Sequence, residues 1–184
     1  SHSLTINAVN CVTLKSKKIG TNTDWRGYYK TLPKTKKLKQ KNVVLIGYGG
    51  AALAIHYVLK VKGFKNIKIL NRTKKKLMFQ NKKEHTISMS FIQNYIADAD
   101  LIINTTPRNP ISKKNKNLIR KETILSDIVY KPKETPFLKN FPNHKKIYGI
   151  SMLIEQAIPC FKQWFGFVPL VDDALIKKLN KKIK

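Results

Sequence analysis

Residues 42–52, NVVLIGYGGAA, constrain the fold more than any other stretch of the chain. Residues 42–47 form a continuous apolar run, as expected for a strand covered on both faces of a parallel sheet. The run ends in Gly47-Tyr48-Gly49-Gly50-Ala51-Ala52, which has the form GxGxxA. Ala51, Ala54, Ile55, Val58 and Leu59 then fall on one helical face. Strand, glycine turn and helix in this order describe a dinucleotide-binding turn. Gly47 permits the bend, Gly49 lets the backbone approach a pyrophosphate, and Ala52 lets helix and strand pack closely. The start of the helix offers free N–H groups and a partial positive charge to phosphates.

The downstream pattern extends this unit. Gly63 ends the first helix, and residues 66–70, 99–104, 123–127 and 146–149 read as further strands. A Lys-rich helix is expected after Thr73. Alternating strands and helices with short links predict an α/β fold, a Rossmann-like doubly wound parallel sheet with helices on both faces. Upstream, residues 8–14 and 18–22 read as two short strands joined by a polar turn, and Asp24 as the N-cap of a short helix. The expected organisation is a short remnant of an N-terminal α/β substrate domain (1–32), a Lys-rich connector (33–41), a dinucleotide-binding domain (42–150) and C-terminal helices packing back toward the remnant (151–184). In that last segment Ile154, Ala157, Ile158, Phe161 and Phe165 form an apolar stripe. Pro159 lies inside it and should kink the helix or open a backbone hydrogen bond. A final helix, capped near Asp172 or Asp173, carries Leu175, Ile176, Leu179 and Ile183.

The end of the second strand bears on cofactor choice. NAD enzymes usually place an acid there to hold the ribose hydroxyls. Here the chain has Asn71-Arg72-Thr73 followed by three lysines, and no acid. A guanidinium can hold a 2′-phosphate through two parallel bonds, so NADP(H) is favoured over NAD. Arg72 stands out because only four of the 37 basic residues are arginine.

The formal net charge of +27 suggests a polyanion partner. Yet the charge is nearly all lysine scattered along the chain, so a nucleic-acid partner is not expected; the field could steer a phosphate-rich cofactor. No apolar run approaches the ~18 residues that span a bilayer, and the start lacks a signal-peptide pattern, so no membrane partner is expected. Cys11 and Cys160 have no metal-ligand spacing, which predicts no metal and a reducing, cytoplasmic setting. The expected partner is a small-molecule substrate, with the chain a monomer or homodimer.

Several stretches resemble the shikimate dehydrogenase family, in the family's order. They are Ala8-Val9-Asn10 (AVNT), Asn22-Thr23-Asp24 with Gly27 (NTDxxG), Gly47 to Ala51 (GAGGA), Asn71-Arg72-Thr73 (NRT) and Ile103-Asn104-Thr105-Thr106 (INxT). Asp127 to Tyr130 with Thr135 to Leu138 resembles DxxYxxxxTPFL, and Gly149 to Ala157 resembles GxxMLxxQA. The resemblance implies reversible NADPH-dependent reduction of 3-dehydroshikimate to shikimate. It implies substrate contacts at Asn10, Asp24, Tyr130 and Gln156. It implies NADP contacts at Gly47, Gly49, Gly50, Ala51, Asn71, Arg72, Thr73 and Lys76, with Ile128 and Gly149 lining the nicotinamide pocket.

In the family the counterpart of Asp24 works with a lysine upstream of AVNT. No lysine here matches that motif; Lys15, Lys17 and Lys18 sit in a polar turn. Residues 1–5, SHSLT, resemble the family's HSxS/T substrate motif without its proline, and run almost directly into AVN. Either intervening sequence has been lost or left out, or the match is chance. Under the first explanation Ser3 and Thr5 correspond to hydroxyls that bind the shikimate carboxylate. The expected behaviour is NADP(H) binding with very low turnover. Smaller departures are Tyr48 and Leu53 in the glycine turn, Pro107-Arg108-Asn109-Pro110 in place of a glycine-containing loop, and Ser151 in place of glycine. Two rival readings are an NAD-using quinate/shikimate dehydrogenase relative and a non-enzymatic nucleotide or polyanion binder on the same scaffold.

Overall fold

The computed structural model describes residues 2–14, 17–34, 40–79 and 84–183. Lys15, residues 35–39 of the expected connector and residues 80–83 lie outside that set. The chain opens with α1 (His2–Ile6), followed by an antiparallel pair, β1 (Cys11–Leu14) and β2 (Lys18–Thr21), in which Cys11 faces Thr21. Next comes α2 (Asp24–Thr31). The N-cap position belongs to Thr23, and Asp24 is the first helical residue. Its carboxylate makes no cap bond and turns instead to Asn10.

The main sheet follows: β3 (Asn42–Ile46), α3 (Gly50–Val61), β4 (Asn66–Asn71), the two-residue β5 (Ile87–Ser88), α4 (Gln93–Ile96), β6 (Leu101–Asn104), β7 (Ile124–Asp127), α5 (Pro136–Lys139) and β8 (Lys146–Tyr148). All its pairings are parallel, in the order β5-β4-β3-β6-β7-β8. That is the doubly wound order, with the switch point between β3 and β6, where ligands bind outside the carboxyl ends of the strands. The central strands are apolar throughout because both faces are covered. Leu45, Ile103, Ile55 and Leu59 fill one side, and Val44, Ile46, Ile102 and Phe137 the other.

The Lys-rich helix expected after Thr73 does not form. Lys76 instead pairs with His85 in an antiparallel bridge; Leu77 N–H donates to the Glu84 carbonyl (3.0 Å) and Thr86 N–H to the Lys75 carbonyl (2.8 Å). Local helix propensity is overridden by this pairing with residues 84–86. The following connection reaches β5 through two-residue pairing with β4.

The chain closes with α6 (Gly149–Phe165) and α7 (Asp173–Lys182). α6 runs on through Pro159 to Gly166, which is left-handed at φ 83°. Its buried face is not the apolar stripe read from the sequence. Gly149, Met152 and Cys160 are buried, while Ala157 and Phe165 are exposed. The reason is the partner helix. Gly27 of α2 lies so close that an added Cβ would stand 2.7 Å from the Met152 carbonyl and 2.8 Å from Gln156 Cβ. The line Met152, Gln156, Cys160 is therefore the contact face. Asp172 caps α7 by accepting from Leu175 N–H (2.8 Å), and the Ile183 carbonyl accepts from Lys133 N–H (2.8 Å). Among the described residues no helix is long and apolar enough to cross a membrane.

Candidate functional site

The corner after β3 is built for backbone rather than side chains. Gly47 has φ +96°, and a Cβ there would meet Thr105 Oγ1 and, at 3.0 Å, Thr106 Cγ2. The corner is pinned from both sides. Gly47 N–H donates to the Leu70 carbonyl (2.8 Å), and Thr105 donates to the Ile46 carbonyl through its N–H (2.9 Å) and its hydroxyl (2.7 Å). Gly49 has a different reason to be glycine. Its backbone is extended, and nothing lies within 4 Å of where a Cβ would be. Protein packing would admit a side chain there, and without one the space beside the backbone stays open. No side chain caps α3 at Gly49, and the first N–H groups of a helix have no carbonyl of their own. The amides of Gly50 and Ala51 thus face outward as anion donors.

Tyr48 is buried beneath this corner, where the sequence resemblance calls for a small residue. Its hydroxyl accepts from Met78 N–H (3.0 Å) and lies 3.1 Å from His56 Nδ1. It ties the glycine turn both to α3 and to the chain after β4. Lys75 Nζ reaches the Tyr48 carbonyl (3.2 Å).

Three cavities line up along the carboxyl edge of the sheet. The first, about 480 Å³, is lined by Gly47, Asn71, Arg72, Thr106, Arg108 and Asn109 among others. The second, about 450 Å³, shares Thr106 and Pro107 with it and runs to Ile128 and Tyr130. The third, about 300 Å³, shares Ile128 and Tyr130 with the second and adds Asn10, Asp24, Ala51, Gly149, Met152 and Gln156. Gly47 lines the first and Ala51 the third, so the glycine turn spans from one end of the crevice to the other. An extended ligand with phosphates at its middle fits this layout.

At the Arg72 end, Asn71 Nδ2 donates to the Thr73 carbonyl (2.8 Å), shaping the turn that presents Arg72. Thr73 and Lys76 are exposed and do not line the cleft. The lining carries two guanidiniums and no carboxylate, which suits a ligand with a phosphate beyond its pyrophosphate. Arg108 and Thr106 were not among the residues the sequence singled out for this cleft. They arrive because β6 is the neighbour of β3, and that adjacency is set by topology rather than by spacing in the chain.

At the other end, Asn10, Asp24, Tyr130 and Gln156 come together around one cavity. Asn10 Nδ2 lies 2.7 Å from Asp24 Oδ1 and 3.2 Å from Gln156 Oε1, while Asn10 Oδ1 accepts from Thr23 N–H (2.7 Å). Gln156 Nε2 donates to the Leu153 carbonyl (3.0 Å). Burial pushes the Asp24 carboxyl above the ordinary carboxylate value, and the Asn10 hydrogen bond offsets part of this. Among the described residues no cation pairs with it. Gly149 must be glycine, since a Cβ would run into the backbone of Ile128 and, at 2.6 Å, the Val129 carbonyl. Ser3 and Thr5 are not part of this cavity. Ser3 is buried, donates to the Gly20 carbonyl (3.1 Å) and lines a separate cavity with Arg26 and Lys162; Thr5 is exposed.

A buried network holds the two loops over the crevice. Asp127 accepts from Thr135 Oγ1 (2.7 Å), Val129 N–H (3.0 Å) and Asn104 Nδ2 (3.3 Å), and Asn104 also donates to the Thr106 and Arg108 carbonyls. Burial raises the Asp127 carboxyl, with those three bonds acting against it.

Comparison with known proteins bears on the same residues. The profile of the shikimate / quinate 5-dehydrogenase family matches residues 30–132. A shikimate dehydrogenase (NADP(+)) of Bartonella quintana is 34% identical over 95% of this chain, and one of Methanobrevibacter smithii is 34% identical over 96%. The chain spans 65% of the first relative's length and 68% of the second's. Among solved structures, a shikimate dehydrogenase in complex with NADP+ superposes with a TM-score of 0.79 at 28% identity, covering 100% of this chain and 70% of that one.

Proposed function

Since the chain belongs to the shikimate/quinate 5-dehydrogenase family, we propose that it carries the cofactor site and part of the substrate site of an NADP-dependent shikimate dehydrogenase, which reduces 3-dehydroshikimate reversibly to shikimate. The observation that carries this reading is the row of three adjoining cavities that share lining residues: Arg72 and Gly47 line the first, and Ala51 lines the third together with Asn10, Asp24 and Gln156.

When bound, the nicotinamide gives or takes the hydride. The chain's own residues orient and polarise. The Gly50 and Ala51 amides would hold the pyrophosphate and Arg72 the 2′-phosphate. Ile128 and Gly149, which line the cavity of Asp24, would line the nicotinamide end. Asn10, Gln156 and the Tyr130 phenol supply donors and acceptors for the ring hydroxyls and carboxylate. Asp24 accepts from a substrate hydroxyl, and its raised pKa makes it a better proton acceptor than a solvated aspartate. A cation beside it would stabilise charge there, and no ion pair to it is found among the described residues. Cys11 and Cys160, both buried and unpaired by a disulfide, support a cytoplasmic setting.

The test is shikimate oxidation followed by nicotinamide absorbance with NADP+ and with NAD+. The expected result is NADP+-dependent oxidation, with NADP+ preferred over NAD+ and Asp24→Asn inactive; equal rates for wild type and Asp24→Asn would overturn the role of Asp24. Preference for NAD+ would favour a quinate/shikimate relative, and DNA binding that falls steeply with salt in a chain that ignores NADPH would favour a polyanion binder.

A further inference from the structure

Pro107-Arg108-Asn109-Pro110, which stands where the family has a glycine-containing loop, brings a second arginine to the cavity that Arg72 lines. We propose that Arg108 holds the 2′-phosphate of NADP together with Arg72, closing on it from the opposite side of the cleft; this rests on the cofactor reading above. Arg72 follows β4 and Arg108 follows β6, the strands that flank β3, and both line one cavity of about 480 Å³ with Asn71 and Thr106.

The backbone of Arg108 is held in place. Its carbonyl accepts from Asn104 Nδ2 (3.1 Å) and from Thr106 Oγ1 (3.2 Å), and the next residue, Asn109, accepts from Ile111 N–H (3.0 Å) through Oδ1. Prolines on either side restrict the loop further. The guanidinium itself is exposed, and no carboxylate among the described residues pairs with it or with that of Arg72. Both arginines line this one cavity, and its lining carries no carboxylate to neutralise them. A dianionic phosphate with three acceptor oxygens can bond both forks at once. NAD, with a ribose hydroxyl in that place, offers them no charge. Arg108 thereby sets selectivity as well as affinity.

The experiment is a calorimetric titration of NADP+ and NAD+ into the wild-type chain and the Arg108→Gln, Arg72→Gln and Arg108→Lys variants, with thermal melting as a control. Because Arg108 is exposed, melting is expected to be unchanged. Arg108→Gln should weaken NADP+ at least tenfold and NAD+ less than twofold, with Arg108→Lys recovering part of the loss. Equal weakening of both cofactors would overturn the proposal, since a guanidinium that stacks on adenine or serves the pyrophosphate acts on both alike. Unchanged NADP+ affinity in Arg108→Gln would overturn it too, while leaving the cofactor reading intact. Failure of the wild-type chain to bind NADP+ would overturn the cofactor reading itself.

Discussion

Lowering the pH should loosen the fold through one buried histidine beneath the glycine turn. His56 is fully buried in α3. The Tyr48 oxygen, which accepts from Met78 N–H, lies 3.1 Å from His56 Nδ1. The other ring nitrogen, Nε2, is buried with no hydrogen-bond partner among the described residues. Burial first, and the charge of Lys60 second, push the imidazole from 6.5 down to about 4. The unfolded chain therefore binds a proton that the folded chain refuses between those two values. Stability contributed by the neutral ring is complete above pH 6.5 and lost as the pH falls toward 4. At 1.36 kcal/mol per unit the loss is about 3 kcal/mol, a large share of the ~5–15 kcal/mol that holds a typical domain together. The assay is urea unfolding from pH 7 down to pH 4, about the limits of the window, for wild type and His56→Gln. Glutamine can still accept from Tyr48 but does not titrate, and the carboxylates common to both proteins cancel in the difference. Wild-type stability should fall about 3 kcal/mol further than that of the variant. Parallel curves would refute the reasoning, because they would mean that His56 titrates as freely in the fold as out of it.

Other perturbations separate the fold from the site. Gly49→Val should leave thermal stability within about 0.5 kcal/mol, since the Cβ has nothing to strike; NADPH fluorescence titration should show binding at least about tenfold weaker, ~1.4 kcal/mol. Gly27→Ala should cost about 1–3 kcal/mol in urea unfolding through overpacking of α2 on α6. It should also lower shikimate turnover, because Asp24 and Gln156 ride on those two helices. Arg72→Gln should weaken NADP+ by about 1.5–3 kcal/mol, the usual worth of a hydrogen bond to a charged group, with NAD+ little changed in the same titration.

The sheet was legible because its strands are almost pure apolar runs: NVVLI and LIIN are covered on both faces and have no polar alternation to obscure them. The glycine corner was legible because backbone geometry leaves Gly47 no substitute. Asn10, Asp24, Tyr130 and Gln156 were visible through family motifs, and burial and partners then brought them around one cavity. Periodicity misled at α6, where the polar Gln156 sits on the packed face and Phe165 sits in solvent. A stripe of apolar residues reports a core only when its partner is apolar too, and here the partner face carries Thr23 and Asp24. The chain after Thr73 misled for a different reason. Its lysines and Leu77 favour a helix locally, but Thr86 and Glu84 offer backbone partners from farther along. Arg108 was invisible as a cleft residue because it reaches Arg72's cavity only through strand order, and no local spacing encodes which strands become neighbours.

In the proposed function the glycine turn seats a pyrophosphate while Arg72 and its surroundings hold a phosphorylated ribose. Amide chemical shifts of the isotopically labelled chain, recorded during NADP+ titration, test it residue by residue. The largest shifts are expected at the amides of Gly49, Gly50, Ala51 and Arg72, with the 2′-phosphorus resonance moving on binding. Shifts that avoid the glycine turn and gather at the opposite, amino edge of the sheet, around Asn42 and Asn66, would contradict it.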